Sequence, residues 1–245
     1  GIKNKGFVDK ILEYMTLKNR MSFTENQLQN DIIIIENALK ANGYYFSKVE
    51  PLKTVNKNLN SVSLNIQIDQ GKKARIKEII FIGDKKIKDK KLLEVIATEE
   101  HKFWKFVSSK VYLNENLISL DKRLLKNYYQ NLGFKNVEVK NVFSELNNEG
   151  NFKLTFNIDA GEKYYFNNLK LNLPDDYNIN DFKKVLNIFE ELKGEKYSLN
   201  EFDKILEEID KIASARLYDF IDAKVDENIT DVNKINFTFN VIDSQ

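Results

Sequence analysis

His101 is the sole histidine of the chain and stands among Glu99, Glu100 and Lys102. Nucleophilic catalysis of the Ser-His-Asp kind needs an imidazole beside a hydroxyl and an orienting carboxylate. One histidine inside a run of charge reads instead as a solvated loop. A His-Glu-x-x-His zinc helix is ruled out by the same count. The chain has no cysteine, which removes thiolate nucleophiles, disulfides and zinc knuckles without fixing the compartment. Gly1-Ile-Lys-Asn-Lys-Gly6 has the glycine spacing of a phosphate loop, but Phe7-Val8 stand where Lys-Ser/Thr would have to follow. Asp175-Asp176 and Glu207-Glu208 read as a turn and an exposed helix face. The residues therefore assign no catalytic, cofactor-binding or metal-binding group, and the chain is expected not to be an enzyme.

The run Lys85, Lys86, Lys88, Lys90, Lys91 raises a nucleic-acid reading, because small modules with aromatic strands can bind single strands. Phe81, however, lies between Ile80 and Ile82 and not in an alternating, exposed aromatic pair. With 38 basic against 37 acidic residues, a generic polyanion binder is not expected. Neither nucleic acid nor a small-molecule substrate is expected as a partner; contact with anionic lipid head groups stays open. The longest unbroken isoleucine run, Ile32 to Ile35, sits between Asp31 and Glu36, far short of the roughly 18–20 apolar residues of a membrane-spanning helix. The chain opens without a basic-then-apolar leader and stops just beyond a strand, so it reads as an excised piece.

The elements that would position functional groups recur at a spacing of about ninety residues. Leu64-Asn-Ile-Gln-Ile-Asp-Gln-Gly71 returns as Leu154-Thr-Phe-Asn-Ile-Asp-Ala-Gly161, and more weakly as Phe237-Thr-Phe-Asn-Val-Ile-Asp-Ser244. Asn42-Gly43-Tyr44 returns as Leu132-Gly133-Phe134, then as Arg216-Leu217-Tyr218. The period is too long for a solenoid of helix pairs, so each copy should carry a small core of its own. Three modules are expected, at residues 1–73, 74–161 and 162–245. Their charges differ: residues 1–74 carry 11 basic and 7 acidic groups (+4), residues 75–161 carry 16 and 12 (+4), and residues 162–245 carry 11 and 18 (−7).

The middle copy reads strand, helix, helix, strand, strand. Arg75–Ile82 is a strand ended by Gly83-Asp84, and Asp89 opens a short helix bearing Leu92, Leu93 and Ile96. Asn114 caps a second helix with an expected buried stripe of Leu117, Leu120, Leu124, Tyr128 and Leu132, ended by Gly133. Phe134–Phe143 is a strand, Asn147–Gly150 a hairpin turn, and Phe152–Ile158 the last strand. The first copy fits if its opening strand is missing; its longer helix starts at Thr24 with Gln27 as capping partner. In the third, a strand at Asn168–Leu173 precedes a helix at Phe182–Leu192 and one from Ser198, with Phe202, Leu206 and Ile209 as its stripe. A rival reading pairs Leu64–Ile68 with Ile76–Ile82 as one hairpin inside a single domain.

These features resemble the POTRA modules of the BamA family of bacterial outer-membrane protein assembly factors. The resemblance rests on the entry strand Ile80-Phe-Ile-Gly83, the aromatic before the second helix (Phe23, Tyr112, Tyr197), the helix end Asn42-Gly43-Tyr44 with its variant at Asn131–Phe134, and the exit strand Ile-Asp-x-Gly. The middle copy adds an aromatic insertion, Phe103-Trp104-Lys-Phe106, like that of the third of the family's five modules, which would make this chain modules two to four. The implied fold is α+β: tandem βααββ modules, each a three-stranded mixed sheet packed on two helices. The implied setting is the periplasmic side of the outer membrane, with a C-terminal β-barrel farther along the same chain. Implied partners are accessory lipoprotein subunits of the assembly complex, unfolded outer-membrane proteins and periplasmic chaperones. A pore for two-partner secretion or translocation is the alternative.

A three-stranded sheet leaves unpaired backbone groups along its margins, to which an extended chain can add with little regard to sequence. The candidate edge is Lys135, Asn136, Val137, Glu138, Val139, Lys140, Asn141, Val142 and Phe143. Val137 and Val139 alternate, then Val142 falls out of phase, as a bulge near Lys140–Asn141 would produce. Val55 marks a weaker equivalent. Phe103, Trp104 and Phe106 are candidate anchors for a partner, or a loop folded onto its own module.

Overall fold

The computed structural model describes residues 5–104, 108–216 and 221–243. Helices α1 (Lys5–Tyr14) and α2 (Glu25–Ala41) precede strands β1 (Lys48–Asn56) and β2 (Ser61–Asp69). Strand β3 (Ile76–Asp84), helices α3 (Asp89–Val95) and α4 (Glu115–Gln130), and strands β4 (Glu138–Leu146) and β5 (Phe152–Asp159) follow. Strand β6 (Tyr165–Asn172), helices α5 (Lys183–Leu192) and α6 (Leu199–Arg216), and strands β7 (Ile221–Asp231) and β8 (Lys234–Asp243) complete the series. Among the described residues the strands form three sheets, ordered β1-β2, β3-β5-β4 and β6-β8-β7. The fold is thus mixed α+β. Strand β2 pairs with β1 alone, and β3 belongs to a different sheet, so the rival hairpin across residues 64–82 does not form.

The chain divides into two compact units. One holds Gly1–Ile80, Ile96–Asp121 and Val142–Thr155; the other holds Phe81–Val95, Lys122–Asn141 and Phe156–Gln245.

In the first unit, the Thr24 hydroxyl accepts the Gln27 N–H at 3.3 Å, the expected start of α2. Its buried face is Leu28, Asp31, Ile35 and Leu39, so of four consecutive isoleucines only Ile35 is fully buried and Ile33 is half exposed. Ile35 and Leu39 pack with Ile11 and Met15, and Val49, Ile66 and Ile68 close over them. The β1-β2 hairpin is antiparallel from Lys48↔Asp69 to Asn56↔Ser61.

In the second unit, β6 runs parallel to β8 and β7 antiparallel to it. Ile235, Phe237, Phe239 and Val241 alternate inward along β8 onto Phe182, Val185, Phe189, Ile205 and Ile209. Each such side chain contributes roughly 1.5–3 kcal/mol by leaving water. Ser198 accepts the Glu201 N–H at 3.4 Å, as the capping pattern predicts.

Several expectations are corrected. On α4 the buried residues are Asp121, Leu125 and Tyr129, while Leu117, Leu120, Leu124 and Tyr128 are only partly buried. On α6 they are Ile205, Ile209 and Ala213, with Phe202 and Leu206 flanking them. The α4 stripe is centred one position from the expected one, whereas on α6 Ile209 is buried as expected and the fully buried face also takes in Ile205 and Ala213. Strand β3 continues through Gly83 to Asp84, and β6 begins at Tyr165, earlier than expected. Strand β4 begins at Glu138; Lys135 to Val137 form a turn closed by the Val137 N–H on the Phe134 carbonyl at 3.2 Å. Leu217 lies outside the described residues.

Candidate partner-binding edges

The first inward residues of β3 and β6 are Ile76 and Phe166, and the next inward residue follows after three positions, at Ile79 and Leu169. In β6 this is a register shift against β8. The chain between the two helices meets the outer margin of each strand near its start. The His101 N–H donates to the Ile76 carbonyl at 2.8 Å, and the Ile79 N–H donates to Glu100 Oε1 at 3.0 Å. Correspondingly, the Gly194 N–H donates to the Phe166 carbonyl, and the Phe166 N–H donates to the Glu195 carbonyl, both at 2.8 Å. His101 and Glu100, read from sequence as a solvated loop, thus serve as an edge cover. Desolvation, then Arg75 and Lys77, hold the His101 imidazole below its usual proton affinity.

Among the described residues, the outer strand at the opposite margin pairs on one side only: β4 in the second sheet, β7 in the third. Of the nine candidate edge residues, Glu138, Val139, Lys140, Asn141, Val142 and Phe143 lie on β4. Val139 and Val142 are half-buried with Lys140 and Asn141 both exposed between them, so the alternation breaks where expected, and Phe143 is 47% exposed. Lys140 pairs with Asp159 of β5 at 2.6 Å, which raises the ammonium pKa and lowers that of the carboxyl group. Lys135, Asn136 and Val137 are elsewhere. Lys135 pairs with Glu227 of β7 at 2.7 Å, the Asn136 amide reaches the Tyr164 hydroxyl at 3.2 Å, and Val137 is buried.

Strand β7 was missed in the sequence, although its place in the repeat is that of β4. Its exposed residues include Lys224, Asp226 and Ile229. On β1, Leu52 and Val55 are more than half exposed. A cavity of about 490 Å³ lies beside β2, lined by Ile11, Met15, Phe23, Leu64 and Ile66 among others.

Phe103 and Trp104 are 75% and 59% exposed, their rings edge-to-face at 4.6 Å, with Lys102 Nζ 5.8 Å from the tryptophan ring. Phe106 lies outside the described residues. In the basic run, Lys85 pairs with Asp89, Lys86 with Asp84 at 3.1 Å and Lys91 with Glu94 at 2.8 Å, so much of its charge is met locally. Among the described residues there is no cluster of three metal-ligating side chains, and no helix long and apolar enough to cross a membrane.

Residues 2–71 and 74–161 match the model of the POTRA family, surface antigen variable number repeat. The outer membrane protein assembly factor BamA of Buchnera aphidicola is 28% identical over 181 residues, covering 72% of this chain and 28% of that protein. The BamA of Neisseria meningitidis is 24% identical over 202 residues, covering 82% of this chain and 25% of that one. The chain thus spans about a quarter of the length of these relatives. A crystal structure of POTRA domains 3–5 of Haemophilus influenzae BamA is 13% identical, with a TM-score of 0.49, covering 95% of this chain and 89% of that one.

Proposed function

The chain belongs to the POTRA family, and from that premise we propose that it is the periplasmic arm of an outer-membrane β-barrel assembly factor. Its modules are residues 1–73, 74–161 and 162–245, and its barrel lies farther along the same chain. The arm receives unfolded outer-membrane proteins, accessory lipoprotein subunits and periplasmic chaperones by adding their extended segments to its sheets. It performs no covalent chemistry; its work is to hold strands.

One observation carries this reading: in both three-stranded sheets the module's own chain meets the start of one outer strand, at Ile76 and Ile79 or at Phe166, whereas among the described residues the other outer strand has a strand on one side only. Backbone pairing at such a margin is tolerant of sequence, which suits clients that share only a β-strand pattern. In the second sheet the receiving strand is Glu138–Phe143, continued by Ser144–Leu146. The exposed Phe103–Trp104 pair supplies a second, aromatic foothold for a protein partner.

The test is site-specific photo-crosslinking to a peptide of alternating apolar and polar residues taken from an outer-membrane strand. A photoreactive residue at Asn141 should capture the peptide, and one at Lys77 on the covered margin should not. Equal capture at both, or none at Asn141, would reject the reading.

A further inference from the structure

The segments that join successive copies are built twice on one plan. Gly43 (φ +89°) follows the end of α2 and Gly133 (φ +102°) that of α4, a backbone conformation that side chains disfavour. In each case the residue after the glycine donates its N–H five residues back, Tyr44 to Leu39 at 2.9 Å and Phe134 to Tyr129 at 3.1 Å, which leaves the glycine carbonyl facing outward. That carbonyl then accepts a backbone N–H from the start of the following copy: Ala74 on Gly43 at 2.9 Å, Tyr164 on Gly133 at 2.8 Å.

The preceding lysine closes each arrangement. Lys73 Nζ lies 4.9 Å from the Tyr44 ring and 5.1 Å from the Tyr112 ring. Lys163 Nζ lies 5.3 Å from the Phe134 ring, and its stem covers the Cα of Gly133, where an added Cβ would meet Lys163 Cγ at 2.6 Å. All four positions recur ninety residues apart: Gly43 and Gly133, Tyr44 and Phe134, Lys73 and Lys163, Ala74 and Tyr164. A linker lysine normally extends into water, where its side-chain entropy is highest. Two lysines held over aromatic faces at the same repeat position are a device, since a cation is attracted to the ring face.

We propose that each joint is a lysine-stapled clamp that fixes the orientation of one module on the next. The glycine carbonyl supplies the pivot, and the lysine removes the rotation about it. The inference does not depend on what the arm binds. Neighbouring modules joined by a short linker move relative to each other by default, so the clamp is the element that prevents it.

The absence of cysteine allows paired spin labels to be placed at will. Asn37→Cys with Glu149→Cys reports on the first joint, and Lys126→Cys with Lys211→Cys on the second. Each pair should give a narrow distance distribution in the 245-residue chain. Lys73→Gln should widen the first roughly twofold and leave the second unchanged, and Lys163→Gln should do the reverse. Lys→Arg at either site should keep the narrow distribution, and the unfolding midpoint should not move in any variant. Broad distributions in the parent chain, unchanged widths in the glutamine variants, or a fall in midpoint with them would overturn the proposal.

Discussion

Asp31 and Asp121 occupy the same place in successive copies, and each fastens the second helix of its copy to the turn after the first. Both are fully buried. Asp31 accepts the backbone N–H groups of Thr16 at 2.6 Å and Leu17 at 2.9 Å, and the Thr16 hydroxyl as well. Asp121 accepts those of Ala97 at 2.6 Å and Thr98 at 3.3 Å. Each stands seven residues after its helix cap, Thr24 or Asn114; seven residues after Ser198 the third copy has Ile205, fully buried among apolar side chains. Two copies fasten this turn with a carboxyl group, and the third fills the place with hydrocarbon.

Removing the fastener should be costly. Asp121→Ala leaves two N–H groups without their acceptor and should destabilise by about 2–3 kcal/mol in urea unfolding. Asp121→Asn keeps one acceptor oxygen and should lose about 1 kcal/mol. Ile205→Asp places a carboxyl group with no donor in the third core and should cost on the order of 3 kcal/mol or more. An Asp121→Ala chain as stable as the parent would refute the assignment.

At the β4 margin, Asn141→Pro and Phe143→Lys should weaken capture of an extended client peptide by about tenfold, equivalent to about 1.4 kcal/mol. Far-ultraviolet circular dichroism should be unchanged, because an edge strand tolerates proline better than a central one. Undiminished capture by a folded variant would count against β4 as the receiving strand.

His101 titrates alone in this chain, so one imidazole resonance reports it without ambiguity. Its pKa should fall below the ordinary value of 6.5, through desolvation first and then repulsion from Arg75 and Lys77. The folded state resists this proton, so the contribution to stability is full above pH 6.5 and declines as pH drops from there through the lowered folded value. Lys77→Gln should move the resonance back upward; a titration at or above 6.5 in the parent would contradict the geometry.

Tyr129 donates its hydroxyl to the Lys85 carbonyl at 2.6 Å in a buried setting, and Tyr129→Phe should cost about 1 kcal/mol near neutral pH. Burial pushes the Tyr129 pKa far up and that of Tyr197 up to about 12, so neither ionises readily in the folded chain. A phenol with a raised folded pKa leaves stability intact below its unfolded value near 10 and withdraws it as pH rises past that value. Alkaline unfolding should therefore begin above pH 10, and Tyr129→Phe should soften it. An equal alkaline slope in parent and variant would remove Tyr129 from the account.

The caps and the repeat were readable in the sequence because they depend on local chemistry. Thr24 with Gln27, Ser198 with Glu201, and the helix-ending Gly43 and Gly133 all act within a few residues of chain. The sequence pattern sets the α4 stripe one position off because the centre of its buried face is Asp121, and a carboxylate in a helical pattern reads as solvent-facing. Only the folded turn supplies the N–H groups that make its burial tolerable. The sequence places Lys135 at the start of the edge strand, but its partner Glu227 lies ninety-two residues away. The broken alternation at Lys140–Asn141 is legible in the sequence, whereas the place of β7 as an outer strand needs the sheet order.

The contacts at the start of β3 and β6 also bear on how such sheets could associate. A sheet with two bare borders is a template at both ends, and each arrival exposes a fresh border for the next, as in a growing fibril. Here the segments around His101 and Glu195 occupy the start of one border of each three-stranded sheet. A strand added at the other border would still present a fresh edge, so any stacking of strands on these sheets would run from that border and in one direction.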